Sequence, residues 1–196
     1  GGGLASSVPP GQCTEVPVQA QVPSMTEGVF YLGAFADPGR SVLELFEDNN
    51  AHTGGRLGLG YQPDFVVTEV AGPGGVRPGD SFTASITVCN QGTLEMSTPV
   101  DLFLSVDPVI TPQSDTQPGD LFLGRGYASG LQPGACVTLP VRAYTFSMPE
   151  GVFYLGAIAD PLNEQVEFLE DNNARTGNRV GFGYQPDFVV TKVTGP

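Results

Sequence analysis

The side chains best suited to chemistry lie in a short acidic segment near the C-terminus. They are Glu167, Glu170, Asp171, Asn172 and Asn173, and an equivalent set stands earlier in the chain as Glu44, Glu47, Asp48, Asn49 and Asn50. Carboxylate and amide oxygens are hard ligands that suit Ca²⁺, so Glu167, Glu170, Asp171 and Asn173 are candidate calcium ligands. The spacing is not that of an EF-hand. Because Asp and Asn also cap turns through neighbouring backbone groups, turn capping is the competing interpretation.

The remaining reactive residues predict no catalysis. His52 is the only histidine, and Arg175 stands at its equivalent position later in the chain. Ser-His-Asp and Cys-His systems need a histidine base, and residues 63–185 contain none. The cysteines lack the spacing of a zinc site. Lys192 is the sole lysine and lies outside residues 63–185, so no lysine isopeptide crosslink can form within them. We expect a protein that is not an enzyme and carries no cofactor, calcium excepted.

Charge and hydropathy exclude two further classes. Asp and Glu outnumber Lys and Arg 21 to 8, which gives a net charge of -13. Nucleic-acid affinity comes mostly from Lys and Arg, so we expect no nucleic-acid partner. The longest nearly apolar run, Gly151–Ala159, is about half of a membrane span. We therefore expect no membrane span in this segment, and a targeting signal would lie outside it.

The chain repeats itself with a period of 123 residues. Residues 1–73 align without a gap on residues 124–196, and 45 of the 73 positions are identical. The period predicts three segments: residues 1–62 as the C-terminal half of a preceding repeat, 63–185 as one complete repeat, and 186–196 as the first strand of the following repeat. Because a domain needs its own core, we interpret the chain as part of a longer array. A subunit completed by its neighbours is the alternative.

Alternating polarity within residues 63–185 predicts β-strands. The residues predicted to point inward are Phe82, Ala84, Ile86 and Val88, then Val100, Leu102 and Leu104, then Val137, Leu139, Val141 and Ala143. Further strands are predicted at 65–70, 121–124, 152–159 and 180–184. Seven short strands separated by Gly and Pro turns predict an all-β fold of tandem antiparallel immunoglobulin- or fibronectin-like sandwiches. The absence of Trp favours the fibronectin-like variant.

The cysteines predict a cross-strand disulfide. Cys89 ends the second predicted strand and Cys136 begins the fifth, and these strands are antiparallel neighbours in such a sandwich. By the alternation, both side chains point outward; two free thiols are the alternative. Cys13 is the equivalent of Cys136, and its partner position precedes residue 1, so we expect it to pair outside this segment. A disulfide framework predicts a secreted or cell-surface location.

Seven short motifs follow one another in a fixed order through the complete repeat. They are PDFVVT, VRPG, VCNQG, LFLS, LQPG, GVFYL and EFLEDNN, beginning at Pro63, Val76, Val88, Leu102, Leu131, Gly151 and Glu167. This order resembles the bacterial CARDB family, the cell-adhesion-related domain, over the full repeat and in both flanking pieces. The resemblance implies a fibronectin- or immunoglobulin-like sandwich, usually in tandem on secreted or surface proteins, with adhesive or spacer roles and no catalysis.

Glycine and proline at the end of the complete repeat bear on how repeats connect. Gly181 and Gly183 leave one face of the last predicted strand bare, which makes them a candidate packing face for another backbone. Accommodation of a twist or a bulge is the alternative. Only Gln185 and Pro186 separate this strand from the next motif, and such a short proline-containing link predicts a semi-rigid array.

These observations predict an extracellular structural or adhesive repeat protein that forms a semi-rigid stalk, filament or fibre on a bacterial surface. Its partners would be neighbouring repeats or identical chains, with cell-surface or matrix ligands as further candidates. One alternative is a module that binds carbohydrate or protein through aromatics such as Phe103, Tyr127 or Tyr144. Another is a fibre of subunits in which residues 187–193 add a strand to the next molecule.

Overall fold

The computed structural model describes residues 1–22, 27–112, 120–145 and 149–195, and their regular elements are β-strands. The ten strands are β1 (Gly28–Phe35), β2 (Ala51–Leu59), β3 (Phe65–Ala71), β4 (Gly75–Val76), β5 (Ser81–Asn90), β6 (Met96–Ser105), β7 (Leu121–Leu131), β8 (Cys136–Tyr144), β9 (Gly151–Ala159) and β10 (Ala174–Phe182). Within these ranges there is no helix with the length and apolar character needed to cross a membrane.

Strands β3 to β10 form a two-sheet sandwich, called the central sandwich below. One sheet has the order β3-β5-β8 and the other the order β4-β10-β9-β6-β7. All ladders are antiparallel except that of β4 with β10, which is parallel. This is the arrangement of an immunoglobulin- or fibronectin-like domain, so the predicted all-β sandwich is confirmed, with eight strands instead of seven because the two-residue strand β4 was not predicted. The tandem arrangement stays a prediction.

The core lies between the two sheets and contains the alternating residues of the prediction. Ala84, Ile86 and Val88 on β5 are fully buried, as are Val100 and Leu102 on β6. Burial follows from the strand period of two, which sends every second side chain toward the facing sheet. Phe82, Val137 and Leu139 are partly buried at the margin of the same core.

Two strands differ from their predicted bounds because glycines replace the large apolar residues that mark a buried face. Strand β7 continues to Leu131, although the prediction stopped at residue 124. A Cβ on Gly124 would stand 2.2 Å from the carbonyl oxygen of Arg142 on β8, so only glycine fits there. Strand β10 begins at Ala174 instead of Val180 and ends before Tyr184, which is exposed.

The polypeptide enters and leaves the central sandwich at opposite ends. At one end the Asn172 side-chain amide donates a hydrogen bond to Asp64 Oδ1 at 2.8 Å, which places the start of β3 beside the start of β10. At the other end Phe182 pairs with Val76 on β4. The segments before β3 and after β10 are therefore separated by the length of a strand, about 30 Å.

The N-terminal hairpin, β1 with β2, reproduces the hairpin of β9 with β10. Gly28 pairs with Leu59 as Gly151 pairs with Phe182, and both ladders contain a bulge at the equivalent place. The loops agree as well. In the first, Glu44 N–H donates to Glu47 Oε1 at 3.1 Å, and the corresponding bond from Glu167 to Glu170 measures 3.0 Å. The equivalent sequences therefore adopt the same hairpin and the same loop in both places.

The two hairpins differ in how deeply their side chains are buried. Leu155 is fully buried under the three-stranded sheet, whereas its equivalent Leu32 is 55% exposed, because no such sheet covers the N-terminal hairpin. This contrast is what the predicted division into residues 1–62, 63–185 and 186–196 requires, although that division stays a prediction.

A disulfide joins Cys89 to Cys136, as predicted. The two residues are directly opposed on β5 and β8, with their Cα atoms 4.0 Å apart. Both side chains lie on the outward face, as predicted, since Cys89 alternates with the core residue Val88; Cys136 is exposed there, whereas Cys89 is buried. Thr68 Oγ1 on the neighbouring strand β3 lies 3.9 Å from Cys89 Sγ and covers it. Cys13 is an exposed free thiol.

The disulfide should contribute strongly to stability. It spans 47 residues, and closing a loop of that length stabilises a domain by about 4 kcal/mol on the chain-entropy model. We expect the Cys89→Ala/Cys136→Ala variant to lose about that much unfolding free energy in urea titrations. Cys13→Ala is the matched control and should unfold like the parent chain. Equal midpoints for the parent chain and the double variant would contradict this account.

Candidate functional site: the junction of the N-terminal hairpin and the central sandwich

The acidic loop, residues 167–173, clamps the start of β3. Glu167 is buried, and its Oε2 accepts the backbone N–H of Phe65, while its Oε1 accepts the Asn173 side-chain amide at 2.7 Å. The backbone N–H of Phe168 donates to the carbonyl oxygen of Pro63 at 3.1 Å. Glu167, oriented by Asn173, thus binds a backbone segment that lies 102 residues earlier in the chain.

Asn90 clamps the same segment from the other side. This fully buried residue accepts the N–H groups of Asp64 and Gly92 through Oδ1, at 3.2 and 3.0 Å. It donates to the carbonyl oxygens of Leu94 and Leu131 at 2.8 and 2.9 Å. All four of its hydrogen-bonding positions are used, which satisfies a buried amide that would otherwise be costly.

The junction is the segment of residues 60–65, which connects the N-terminal hairpin to the central sandwich. Gly92 allows the backbone of this segment to lie directly against the loop between β5 and β6. A Cβ at this position would stand 2.4 Å from the carbonyl oxygen of Gln62 and 2.6 Å from the nitrogen of Asp64. Next to it, the N–H of Thr93 donates to the Gln62 carbonyl at 2.8 Å, and Thr93 Oγ1 donates to the Gly60 carbonyl at 2.5 Å. Gly60, Gln62, Pro63, Asp64 and Phe65 therefore each take part in a hydrogen bond to the central sandwich.

The N-terminal hairpin also contacts the acidic loop through side chains. Arg56 on β2 makes a bidentate ion pair with Asp171, with N–O distances of 2.7 and 2.9 Å. Gly58 on the same strand faces the ring of Phe168 so closely that a Cβ would stand 2.4 Å from the ring. The hydrogen bond to Arg56 lowers the pKa of Asp171, and that to Asp171 raises the pKa of Arg56. The ion pair and the glycine contact fix where the hairpin meets the sandwich.

Burial perturbs the titration of two carboxyls at the junction. Desolvation raises the pKa of Glu167 to about 7, against the opposing hydrogen bonds from Phe65 and Asn173. Desolvation also raises the pKa of Asp64, while the hydrogen bond from Asn172 opposes the shift. Both carboxyl groups accept hydrogen bonds from protein donors, which favour the charged form. Their burial removes them from water, which disfavours the charged form and has the larger effect.

The predicted calcium ligands have protein partners in this arrangement. Glu167 binds Phe65 and Asn173, Glu170 accepts the N–H of Glu167, and Asp171 pairs with Arg56. No group of three or more His, Cys, Asp or Glu side chains that could hold a metal occurs within the described ranges. The side-chain oxygens of Asn172 and Asn173 are buried without a hydrogen-bond partner there. Calcium binding stays a prediction.

The other predicted surface residues are distributed differently. Gly181 and Gly183 lie at the far end of the central sandwich, around the end of β10. Of the aromatics proposed for ligand binding, Tyr127 and Tyr144 are exposed, but Phe103 is buried against Ile110 and Ile158. Phe103 is therefore a packing residue and cannot stack on a ligand, which leaves Tyr127 and Tyr144 as the candidates for the alternative binding function.

Sequence reasoning missed four residues of the junction: Arg56, Gly58, Asn90 and Gly92. Arg56 and Gly58 recur as Arg179 and Gly181 one period later. Because these positions do not belong to the core, their identity could have indicated a shared contact surface. Asn90 and Gly92 belong to the VCNQG motif, but their partners lie in a segment that no local pattern connects to them.

The CARDB family model matches residues 62–177, and this chain belongs to the CARDB family. The match covers β3 to β9 and ends within β10. The family is therefore the one that the order of motifs resembled. Among curated proteins none matches the chain.

Several solved structures are similar to this chain. The crystal structure of the CARDB domain of a Pyrococcus furiosus protein, in complex with di-metal ions, is 23% identical with a TM-score of 0.47, over 65% of this chain and 99% of that one. A β-glucosidase from Listeria innocua is 13% identical with a TM-score of 0.42, over 62% of this chain and 16% of that one. A β-glucosidase from Erythrobacter marinus is 16% identical with a TM-score of 0.43, over 74% and 18%.

The raised pKa of Glu167 predicts a pH-dependent stability. The folded chain binds this proton more tightly than the unfolded chain, whose ordinary pKa is 4.5, so stability should fall as pH rises from 4.5 to about 7 and then level off. The contribution is about 3 kcal/mol. We expect Glu167→Gln to remove this fall, measured as unfolding free energy by urea titration across that range.

Glu69→Gln, which changes an exposed carboxylate on β3, is the matched control and should keep the pH dependence of the parent chain. If the Glu167→Gln and parent curves stay parallel from pH 4.5 to 8, the buried carboxyl does not have the role described.

Proposed function

We propose that this chain is part of a non-catalytic extracellular structural protein, in which tandem CARDB sandwiches form a semi-rigid stalk or fibre on a bacterial surface. The observation that carries the proposal is the junction itself. Thr93 donates hydrogen bonds to Gly60 and Gln62, Asn90 and Glu167 accept the N–H groups of Asp64 and Phe65, and Gly58 packs on Phe168. A protein whose modules move independently has no need for such continuous attachment.

The path of the chain through the sandwich suits a load-bearing role. The chain enters beside the start of β10 and leaves at its end, so tension applied through the junctions would act along the strands. The parallel pair of β4 and β10 would then be loaded in shear, since the N–H groups of Gly181 and Gly183 donate to the carbonyls of Gly74 and Val76 at 2.8 and 3.2 Å. Bonds loaded in shear share the force and must break together.

The disulfide supports an extracellular location, because such bonds persist in oxidising compartments. It also closes residues 89–136 into a loop that tension on the two ends cannot extend. Binding of carbohydrate or protein is the alternative function. It is less supported, because Phe103 is buried and the remaining candidate rings, Tyr127 and Tyr144, stand on separate strands.

Stiffness at the junction should depend on Gly58. A Val side chain there would collide with the Phe168 ring, and overpacking of this kind costs about 1–3 kcal/mol, enough to displace the N-terminal hairpin. In small-angle X-ray scattering, we expect Gly58→Val to broaden the distance distribution of the chain.

Gly55→Val is the matched control, because nothing lies within 4 Å of a Cβ on Gly55 of the same strand. Its scattering should overlay that of the parent chain. Scattering of the parent chain that already requires an ensemble of hairpin orientations would refute a stiff junction.

A second proposal is that the acidic loop binds calcium, and the specific observation in its favour is the pair of unpartnered buried oxygens on Asn172 and Asn173. Calcium takes six to eight oxygen ligands, so binding would recruit these amides together with Glu167 and Glu170. We expect millimolar Ca²⁺ to raise the melting temperature of the parent chain and not that of Glu170→Gln. No shift in the parent chain would remove this proposal.

A further inference from the structure

The end of the central sandwich repeats the sequence that joins the N-terminal hairpin to it. Residues 179–187 read RVGFGYQPD and residues 56–64 read RLGLGYQPD, so seven of nine positions are identical. The backbone agrees too, because Gly60 and Gly183 both have a positive φ, 139° and 155°. Glycine adopts such φ values readily, whereas residues with a Cβ rarely do. The segment after β10 is thus built like a segment that already has a partner in this structure.

Three residues in the first part of the segment 56–64 contact the central sandwich. Arg56 pairs with Asp171, Gly58 faces the Phe168 ring, and the Gly60 carbonyl accepts from Thr93. At the second segment the equivalent positions are open. A Cβ on Gly181 would meet only the Gly74 carbonyl oxygen, at 3.6 Å, and exposed Arg179 has no ion pair within the described ranges.

A cavity of about 1120 Å³ lies at this open end. Its lining includes Arg179, Gly181, Gly183 and Gln185, together with Val76 on the edge strand. Beyond it, residues 186–191 repeat residues 63–68 without a change, and Phe188 is 91% exposed where Phe65 is fully buried. The chain therefore continues from the open surface into the sequence that begins a sandwich.

We propose that Arg179, Gly181, Gly183 and Gln185 form a docking surface for a second copy of residues 63–185. The second copy's Phe168 would lie on Gly181, its Asp171 would pair with Arg179, and its Thr93 would donate to the carbonyl of Gly183. The proposal rests on the proposed function and adds to it the identity of the partner and the three contacts that set the angle between successive sandwiches.

A second copy suits this surface better than an unrelated protein, because the same three contacts already form within this chain. The corresponding groups of the central sandwich, Asp171, Phe168 and Thr93, are already occupied by its own N-terminal hairpin, through Arg56, Gly58 and Gly60. Separate chains should therefore not associate through this surface, and its partner is the sandwich that residues 186–195 begin.

The test uses the full chain extended beyond Pro196 by a second copy of residues 74–185, which completes the sandwich that residue 186 begins. By NMR, the α protons of Gly181 should move upfield on extension because of the ring current of the second copy's Phe168. Replacing that Phe168 by Leu should reverse the movement. Scattering of the same extended chain measures whether the two sandwiches keep a fixed orientation.

Gly181→Val should broaden the scattering distance distribution of the extended chain but leave the stability of the original chain nearly unchanged, because the Cβ would be in ordinary van der Waals contact, 3.6 Å from the Gly74 carbonyl oxygen. Arg179→Asp should also broaden it, and combining it with Asp171→Arg in the second copy should restore it. A fixed orientation without the Gly181 shift and without an effect of Gly181→Val would overturn the docking surface and leave the stiff array intact. A freely jointed extended chain would overturn both.

Discussion

The structure depends on one constraint: the backbone that passes into the sandwich at residues 62–65 must find a hydrogen-bond partner for every buried polar group. An unpaired buried N–H or C=O costs about as much as a lost hydrogen bond. Asn90 at the end of β5 and Glu167 in the acidic loop supply those partners, and glycine at position 92 leaves room for the backbone of residues 62–64. The motifs of the family meet at this place, since PDFVVT, VCNQG and EFLEDNN all contribute to it.

The position of the neighbouring segment follows from this constraint. Because the backbone is held up to Gly60, strand β2 ends against the acidic loop, and Arg56 and Gly58 are placed over Asp171 and Phe168. Arg56, Gly58 and Gly60 recur 123 residues later as Arg179, Gly181 and Gly183, so the geometry of one junction can recur at the next. The disulfide between β5 and β8 stabilises the sheet that carries β3, the strand through which the chain enters.

The fold could be predicted from the sequence wherever a local pattern reports burial. Alternation identified Ile86, Val100 and Leu102 as core residues, and strand order paired Cys89 with Cys136. The full extents of β7 and β10 could not be predicted, since close packing there requires glycine and removes the apolar signal. The acidic loop was recognised as a cluster of oxygens, but its partner Phe65 lies 102 residues away, so the choice between metal ligand and backbone clamp needed the three-dimensional structure.

Residual dipolar couplings on the intact chain test the central claim most directly, because they compare the orientation of the N-terminal hairpin with that of the central sandwich in solution. A clamped junction predicts that amides of β1 and β2 and amides of β5, β6 and β9 share one alignment tensor, with the relative orientation of the structure. Two tensors of different magnitude, with smaller couplings in the hairpin, would show that the segments reorient independently and would contradict the account.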